Sequence, residues 1–332
     1  MKKSLLFAAL LLASWAMPSQ ALAQCPGASF RTAVVTYYEA ILPASSTDSR
    51  CDYKQINGKK VCHIRMRGVL HYPFYVNQNG QPPHQFPALV LNHGSEETFA
   101  AQTKGCAIAE YFVPKGYIVF LPFRRGHGDG NDPADRSTGR YVEDEVAACP
   151  PSEPSCSRVE VLRTQAKEDV AAGFNWLKNR ADVKDDAMAI MGSSYGGRVT
   201  VFANDSQYSL GHKAVVAFSP AAQIWDTATN QTPIQTALIE AVKQAKEPAF
   251  YLQARWDYDT RPTIDLAYAH AYGGSDDQHG RRFMASIFEY PKPDIDPSTG
   301  ELDFQSVHVG FARDTARWGP TVLDFLKRNG VE

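Results

Sequence analysis

Short runs of consecutive apolar residues alternate with longer amphipathic stretches from about residue 87 to the end of the chain. Six of these runs predict strands, at 87–91, 117–121, 187–191, 214–218, 249–252 and 283–288. Runs in which every position is apolar are typical of strands that are buried on both faces of a parallel sheet. The stretches between them predict helices near 98–113, 160–180, 196–205, 232–246, 262–272 and 312–328. This alternation predicts an α/β fold, with a doubly wound, mostly parallel sheet and helices on both of its faces.

The segment from 30 to 85 has a different pattern. It is rich in strand-forming residues and contains a predicted hairpin loop at 55–58, so we expect antiparallel edge strands ahead of the parallel core. No internal repeat or low-complexity linker interrupts the chain, which predicts one domain over residues 24–332. Two polar, proline-containing stretches, near 129–157 and 273–303, are predicted insertions of the kind that form lids or binding loops.

The first residues have the composition of a signal peptide. Two lysines follow Met1, an apolar run extends from Leu5 to Met17, and the segment ends in Ala21-Leu22-Ala23. This arrangement predicts cleavage after Ala23 and export to the periplasm or the medium. The apolar run is shorter than the roughly 20 residues that a membrane-spanning helix needs, and we expect no membrane insertion.

Six cysteines follow this segment, at positions 25, 51, 62, 106, 149 and 156. Cys51 and Cys62 flank the predicted hairpin, and the close pair at 149 and 156 brackets a proline-rich loop. In an oxidising compartment we expect both pairs to be disulfides, which leaves Cys25 for Cys106. Other connectivities stay open, because spacing alone does not determine pairing. No C-x-x-C pair or cysteine–histidine cluster has zinc spacing, so we expect no metal.

The strongest chemical signal is the sequence Gly192-Ser193-Ser194-Tyr195-Gly196, between a predicted strand and a predicted helix. G-x-S-x-G in that setting is the nucleophile elbow, a strained turn in which glycine neighbours let strand and helix approach closely. The central position of the motif is Ser194, which excludes Ser193. The alternative is an ordinary glycine-rich strand-to-helix connection.

A serine hydroxyl needs a base, and the base needs an acid to orient it. His308 follows the last predicted strand, just ahead of the last helix, and is the candidate base. Asp257 and Asp259 follow the fifth predicted strand, so the order serine, acid, histidine is present. We assign the acid to Asp257, because Asp259 directly precedes residues 260–262, where it suits capping of the next helix.

The oxyanion of the reaction needs two backbone N–H donors. One should be the N–H of Tyr195, which follows the nucleophile. The other should come from the loop after the first parallel strand, residues 92–97. We assign it to Ser95, with Gly94 and Glu96 as alternatives.

At these positions the chain resembles the dienelactone hydrolase-like branch of the α/β-hydrolases. The resemblance lies within residues 64 to 328 and is carried by the segments 87–95 (PALVLNHGS), 115–128 (KGYIVFLPFRRGHG), 189–197 (AIMGSSYGG), 253–257 (QARWD) and 308–326 (HVGF through VLDFL). It implies the α/β-hydrolase fold, with Ser194 as nucleophile, His308 as base and Asp257 as acid. Dienelactone hydrolases commonly carry a cysteine nucleophile, so the resemblance supports the fold and the triad more than a lactone substrate.

The expected activity is hydrolysis of a small-molecule carboxylic ester through an acyl-enzyme, with no metal or organic cofactor. Lys and Arg total 34 against 36 Asp and Glu, a net charge of −2, which gives no electrostatic reason to expect a nucleic-acid partner. A peptidase is one alternative, because Glu96 and Glu97 could bind a substrate ammonium and S-Y-G-G also resembles prolyl-oligopeptidase-type enzymes. An acyltransferase would use the same triad, and a non-catalytic binding protein would need none of it. No pattern indicates the oligomeric state.

Overall fold

The protein is described here by a computed structural model. The structure describes residues 25, 28–41, 51–56, 58–74, 84–95, 98–127, 158–208, 210–220, 233–257, 260–272, 283–289, 295–296, 298–310 and 314–332. The predicted signal peptide, the insertion at 129–157 and much of the insertion at 273–303 lie outside these residues. Asp259 and the predicted disulfide between positions 149 and 156 also lie outside them.

The described residues form one sheet, which confirms the predicted architecture. Its strands are β1 (Arg31–Ile41), β2 (Cys51–Ile56), β3 (Lys59–Tyr72), β4 (Phe86–Asn92), β5 (Ile118–Phe123), β6 (Val183–Ser193), β7 (Ala214–Phe218), β8 (Ala249–Ala254) and β9 (Phe283–Phe288). The strand order is β1-β3-β5-β4-β6-β7-β8-β9, with β2 also paired to β3. The pairs from β5 to β9 are parallel, whereas β1 and β2 pair with β3, and β3 with β5, in antiparallel fashion.

Helices cover both faces of the sheet. They are α1 (Thr98–Phe112), α2 (Arg158–Thr164), α3 (Ala171–Lys178), α4 (Tyr195–Ala203), α5 (Pro233–Lys243), α6 (Arg261–Tyr272), α7 (Phe304–Gly310) and α8 (Thr315–Arg328). Buried side chains of α1 and α8 join one hydrophobic cluster with the sheet. Those of α2 to α6 join a second cluster on the opposite face. Within the described residues, no helix is long and apolar enough to cross a bilayer.

Strand β4 shows why the apolar runs are continuous. Ala88 and Val90 belong to the cluster under α2 to α6, whereas Leu89 and Leu91 belong to the cluster under α1 and α8. All four side chains are buried. Successive side chains of a strand point to opposite faces, so a sheet that is covered on both sides needs an apolar residue at every position.

Two helical details differ from the sequence prediction. The helix predicted over 160–180 is divided, because a π-helical segment (Gln165–Val170) separates α2 from α3. The short helix α7 was not predicted, since its seven residues give too few turns for a periodic apolar face to be visible.

The predicted disulfide between Cys25 and Cys106 is confirmed, with 5.4 Å between the two Cα atoms. It attaches the segment before β1 to helix α1. The hairpin between β2 and β3 is also present. In its register Cys51 lies opposite Ile64 and Cys62 lies opposite Tyr53, so the two cysteines are offset by two positions along the paired strands. A disulfide between these two cysteines stays a prediction.

Candidate active site

Ser194 occupies the sharp turn between β6 and α4. Its backbone has φ 57° and ψ −120°, a conformation that non-glycine residues rarely adopt and that is typically found at functional sites. Its N–H donates to the carbonyl oxygen of Phe218, at 2.9 Å, and its own carbonyl accepts from the N–H of Arg198, at 3.1 Å. Backbone hydrogen bonds to strand β7 and to the first turn of α4 therefore stabilise the strained turn.

The glycines around this turn are required by close backbone approach. A Cβ atom on Gly192 would lie 2.2 Å from the carbonyl oxygen of Gly196, and one on Gly196 would lie 2.2 Å from that of Asn92. A Cβ atom on Gly197 would lie 2.9 Å from the carbonyl oxygen of Phe218. The structure thus contains the strained, glycine-flanked strand-to-helix turn that the motif predicts.

Asp257 and His308 are in contact. The Nδ1 atom of His308 lies 2.7 Å from Oδ1 of Asp257, and the two side chains are 5% and 0% exposed. Asp257 follows β8, where its N–H donates to the carbonyl oxygen of Ala254 at 3.1 Å. A carboxylate accepts hydrogen bonds, so this contact is a hydrogen bond when Nδ1 carries the proton, which leaves the lone pair of the ring on Nε2.

The carboxylate of Asp257 has further support. The hydroxyl of Ser219 donates to its second oxygen, Oδ2. The side-chain amide of Gln253 donates to the backbone carbonyl of Asp257 at 2.6 Å, and Thr263 in turn donates to the Gln253 side chain at 2.5 Å. These bonds fix both the position and the direction of a carboxylate that is fully buried.

Ser219 is a functional candidate that the sequence analysis missed. It directly follows β7 and has φ 45°, the other non-glycine residue with positive φ among the described residues. The one available signal is its place in the chain, at the carboxyl end of the strand beside the elbow strand. Its neighbour Phe218 accepts the hydrogen bond from Ser194, which links the elbow to Ser219 and so to Asp257.

The strand order brings the turns that carry Ser194, Ser219 and Asp257 to one edge of the sheet. Strands β6, β7 and β8 are adjacent and parallel, and they end directly before Ser194, at Phe218 and three residues before Asp257. The carboxyl ends of parallel strands lie at one edge of a sheet, which is where such folds bind ligands.

The loop after β4 lies against the elbow. A Cβ atom on Gly196 would be 2.3 Å from the carbonyl oxygen of His93, so loop and elbow are in backbone contact. The side-chain amide of Asn92 donates to Thr200 of α4 at 2.9 Å. The predicted oxyanion donors, Tyr195 and Ser95, therefore belong to two segments that pack directly against each other.

A buried arginine connects these segments, and the sequence analysis did not identify it. Arg124 follows β5 and is 1% exposed. Its Nη1 donates to the carbonyl oxygen of His93 at 2.5 Å, and its Nη2 to that of Gly94 at 2.7 Å. Its guanidinium also lies 5.0 Å from the ring centre of Tyr195.

No group of three or more His, Cys, Asp and Glu side chains that could hold a metal ion occurs in the described part of the chain.

No protein-family model matches this chain, and no curated protein matches it by sequence. Solved structures do match. An acylaminoacyl peptidase of Pyrococcus horikoshii aligns with a TM-score of 0.51 and 15% identity over 92% of this chain, and the chain spans 42% of the length of that peptidase. The esterase Pf2001 of Pyrococcus furiosus aligns with a TM-score of 0.51 and 15% identity over 87% of this chain and 96% of that one. A putative dienelactone hydrolase of Klebsiella pneumoniae aligns with a TM-score of 0.44 and 13% identity, over 86% and 99% of the two chains.

Three findings agree on the architecture: the strand order with its antiparallel leading edge, the serine elbow after β6, and the likeness to the peptidase and to the esterase. The chain has the α/β-hydrolase fold.

Proposed function

We propose that this protein is a serine hydrolase that cleaves carboxylic esters with Ser194, His308 and Asp257 as a catalytic triad. The observation that carries the proposal is the buried 2.7 Å contact between Asp257 and His308, at the sheet edge where the elbow presents Ser194. Burying a carboxylate or an imidazole is costly unless each has a partner, and a buried carboxylate–imidazole pair at this edge is the arrangement that a serine nucleophile needs.

The triad performs the reaction in two halves. Nε2 of His308 takes the proton of the Ser194 hydroxyl as Oγ attacks the acyl carbon, and the N–H groups of Tyr195 and Ser95 bind the oxyanion that forms. His308 then gives its proton to the departing alcohol, which leaves an acyl group on Ser194. In the second half, His308 takes a proton from a water molecule as the water attacks the acyl group, and the carboxylic acid is released from Ser194. Asp257 stays ionised throughout and holds the imidazole in the required tautomer.

An ester is the favoured substrate class. The esterase of Pyrococcus furiosus, which aligns over nearly its whole length, supports a small stand-alone ester hydrolase. The likeness to the peptidase supports only hydrolysis in general and not a peptide substrate, because this chain spans less than half of that protein. The insertions are polar and proline-rich in sequence rather than broadly apolar, so we propose short acyl or compact aromatic esters in place of long-chain lipids.

We also propose that the enzyme acts outside the cytoplasm, after cleavage at Ala23. The support is the signal-like composition of residues 1–23 and the disulfide between Cys25 and Cys106, because structural disulfides persist in oxidising compartments.

A substrate panel tests the proposal. The exported protein is assayed on p-nitrophenyl esters of two, four and sixteen carbons, on aromatic esters, on lactones and on aminoacyl amides. We expect the highest kcat/KM on acetate, butyrate or a compact aromatic ester. Faster cleavage of the sixteen-carbon ester would contradict the acyl-length proposal, and amides cleaved faster than every ester would identify a peptidase.

A further inference from the structure

We propose that Arg124 is a positioning residue for the ester-cleaving site proposed above, on which this inference rests. Arg124 orients and polarises the peptide group between Gly94 and Ser95, so that the Ser95 N–H becomes a preorganised oxyanion donor. It acts through the backbone of the loop and does not touch the substrate.

The first observation is a forked contact with two successive carbonyl groups. Nη1 of Arg124 donates to the oxygen of His93 and Nη2 to the oxygen of Gly94, at 2.5 and 2.7 Å. A planar guanidinium presents its donors in a rigid geometry, so a pair of bonds to adjacent peptide groups fixes the orientation of both. With 1% exposure, the fork is shielded from competing water.

The geometry of the peptide bond extends the effect of this contact to the N–H of Ser95. The Gly94 carbonyl and the Ser95 N–H belong to the same planar group, and in a trans peptide they point in opposite directions. An arginine that holds the oxygen from one side therefore aims the Ser95 N–H away from itself. A cationic donor on the oxygen also polarises the group, which strengthens the N–H as a donor.

His93 adds a second donor to the same oxygen. The backbone N–H of Arg124 points at Nε2 of His93, at 3.3 Å, so Nε2 is the accepting nitrogen and Nδ1 carries the proton. Nδ1 lies 2.8 Å from the Gly94 oxygen and donates to it. The carbonyl thus accepts from two side chains, one of them charged.

Arg124 also contacts the other half of the proposed oxyanion site. Its guanidinium lies over the Tyr195 ring, and the N–H of Tyr195 is the second donor. The next residue is anchored as well, because Asp169 accepts from the N–H of Arg125 at 3.0 Å and from its Nε at 2.6 Å. The backbone beside Arg124 is therefore fixed, and the guanidinium of Arg124 contacts both segments that carry the proposed oxyanion donors.

Arg180 provides a control. It is also a forked arginine, because its Nε and Nη2 donate to the two carboxylate oxygens of Asp182 at 2.9 and 2.7 Å. It precedes β6, at the end of the sheet opposite to the edge that carries Ser194. Arg180→Lys therefore breaks a guanidinium fork that lies at the other end of the elbow strand.

The experiment compares Arg124→Lys with Arg180→Lys on one ester, with active sites counted by fluorophosphonate titration. Lysine keeps the charge but cannot reach both carbonyls at once. Because the oxyanion forms only in the transition state, we expect Arg124→Lys to lower kcat about 10- to 100-fold, part of the cost of losing a donor, and to leave KM within about twofold. Binding of a trifluoromethyl ketone, whose tetrahedral adduct carries the same oxyanion, should weaken by the same factor. Arg180→Lys should retain kcat and inhibitor affinity within about threefold.

A second variant covers the case in which Arg124→Lys does not fold. His93→Phe keeps a ring beside Phe123 and His127 but removes the Nδ1 donor, and should lower kcat at unchanged KM by a smaller factor. Equal losses in the Arg124 and Arg180 variants, a change in KM alone, or an unchanged kcat in both folded Arg124→Lys and His93→Phe would overturn the inference. Failure of the proposed function is distinguishable, because the unaltered enzyme would then neither cleave esters nor react with the fluorophosphonate.

Discussion

Oδ1 of Asp257 and Nδ1 of His308 lie 2.7 Å apart although 51 residues separate them in the chain. Asp257 is completely buried and His308 is 5% exposed. The contact forms because β8 ends just before Asp257 and helix α7 carries His308 to the same edge of the sheet. It orients the imidazole ring in the way that the proposed triad requires.

Replacement of this acid should abolish most of the activity without unfolding the protein. We expect Asp257→Asn to lower kcat about 10⁴-fold on a short-chain ester, because an amide can hold His308 in the wrong tautomer. Asp259→Asn is the matched control and should be mild, since asparagine caps a helix nearly as well as aspartate does. If Asp259→Asn were the more damaging change, Asp259 would be the catalytic acid.

Ser219 should matter through Asp257. Ser219→Ala removes the hydroxyl that donates to Oδ2, and hydrogen bonds to charged groups contribute about 1.5–3 kcal/mol. We therefore expect kcat to fall about 10-fold or somewhat more, measured on the same ester. Ser193→Ala, beside the nucleophile, should leave kcat within about threefold. An unchanged kcat in Ser219→Ala would mean that Gln253 and His308 position Asp257 without it.

The parallel core and the turn at Ser194 could be predicted because their signals are local. Strand β4 is apolar from Phe86 to Leu91 since both of its faces are covered, and the elbow needs glycines at 192, 196 and 197, close together in the chain. The pairing of Asp257 with His308 followed from chain order in this fold. Ser219 and Arg124 could not be predicted in the same way, because no motif or chain order marks their contacts with partners 38 and 30 or 31 residues away. Nothing in the neighbouring sequence marks such contacts.

The disulfide between Cys25 and Cys106 should be a major contributor to stability. It closes a loop with a sequence separation of 81, and the loss of entropy in the unfolded chain corresponds to about 4 kcal/mol. We expect the double variant Cys25→Ser/Cys106→Ser to melt several degrees lower than the unaltered protein in thermal unfolding. A melting temperature within about one degree would show that the N-terminal attachment contributes little.

Buried His71 should make the protein sensitive to mild acid. It is 1% exposed, lies 3.0 Å from the Thr32 hydroxyl, and burial lowers its pKa from 6.5 to about 3. As the pH falls from 6.5 towards 3, the unfolded chain binds a proton at this residue and the folded chain does not, so stability is lost over that window. Burial, with a smaller effect from Lys246, also lowers the pKa of His212 to about 4, and this acts in the same direction.

The check is the melting temperature between pH 7 and pH 4. His71→Phe should reduce the slope of melting temperature against pH without removing it, because His212 still contributes. The exposed His84, replaced by the same residue, serves as the control and should leave the slope as it is in the unaltered protein. An equal slope in His71→Phe would contradict the assignment to His71.

Fluorophosphonate labelling followed by peptide mapping is the most direct test of Ser194 as the nucleophile. A fluorophosphonate reacts only with a serine that a neighbouring base activates, so the adduct reports the assembled site. We predict one adduct, on Ser194, in the unaltered protein and in Ser193→Ala, and neither adduct nor ester cleavage in Ser194→Ala. An unlabelled wild-type protein that turns over no ester, or an adduct on any residue other than Ser194, would contradict the account.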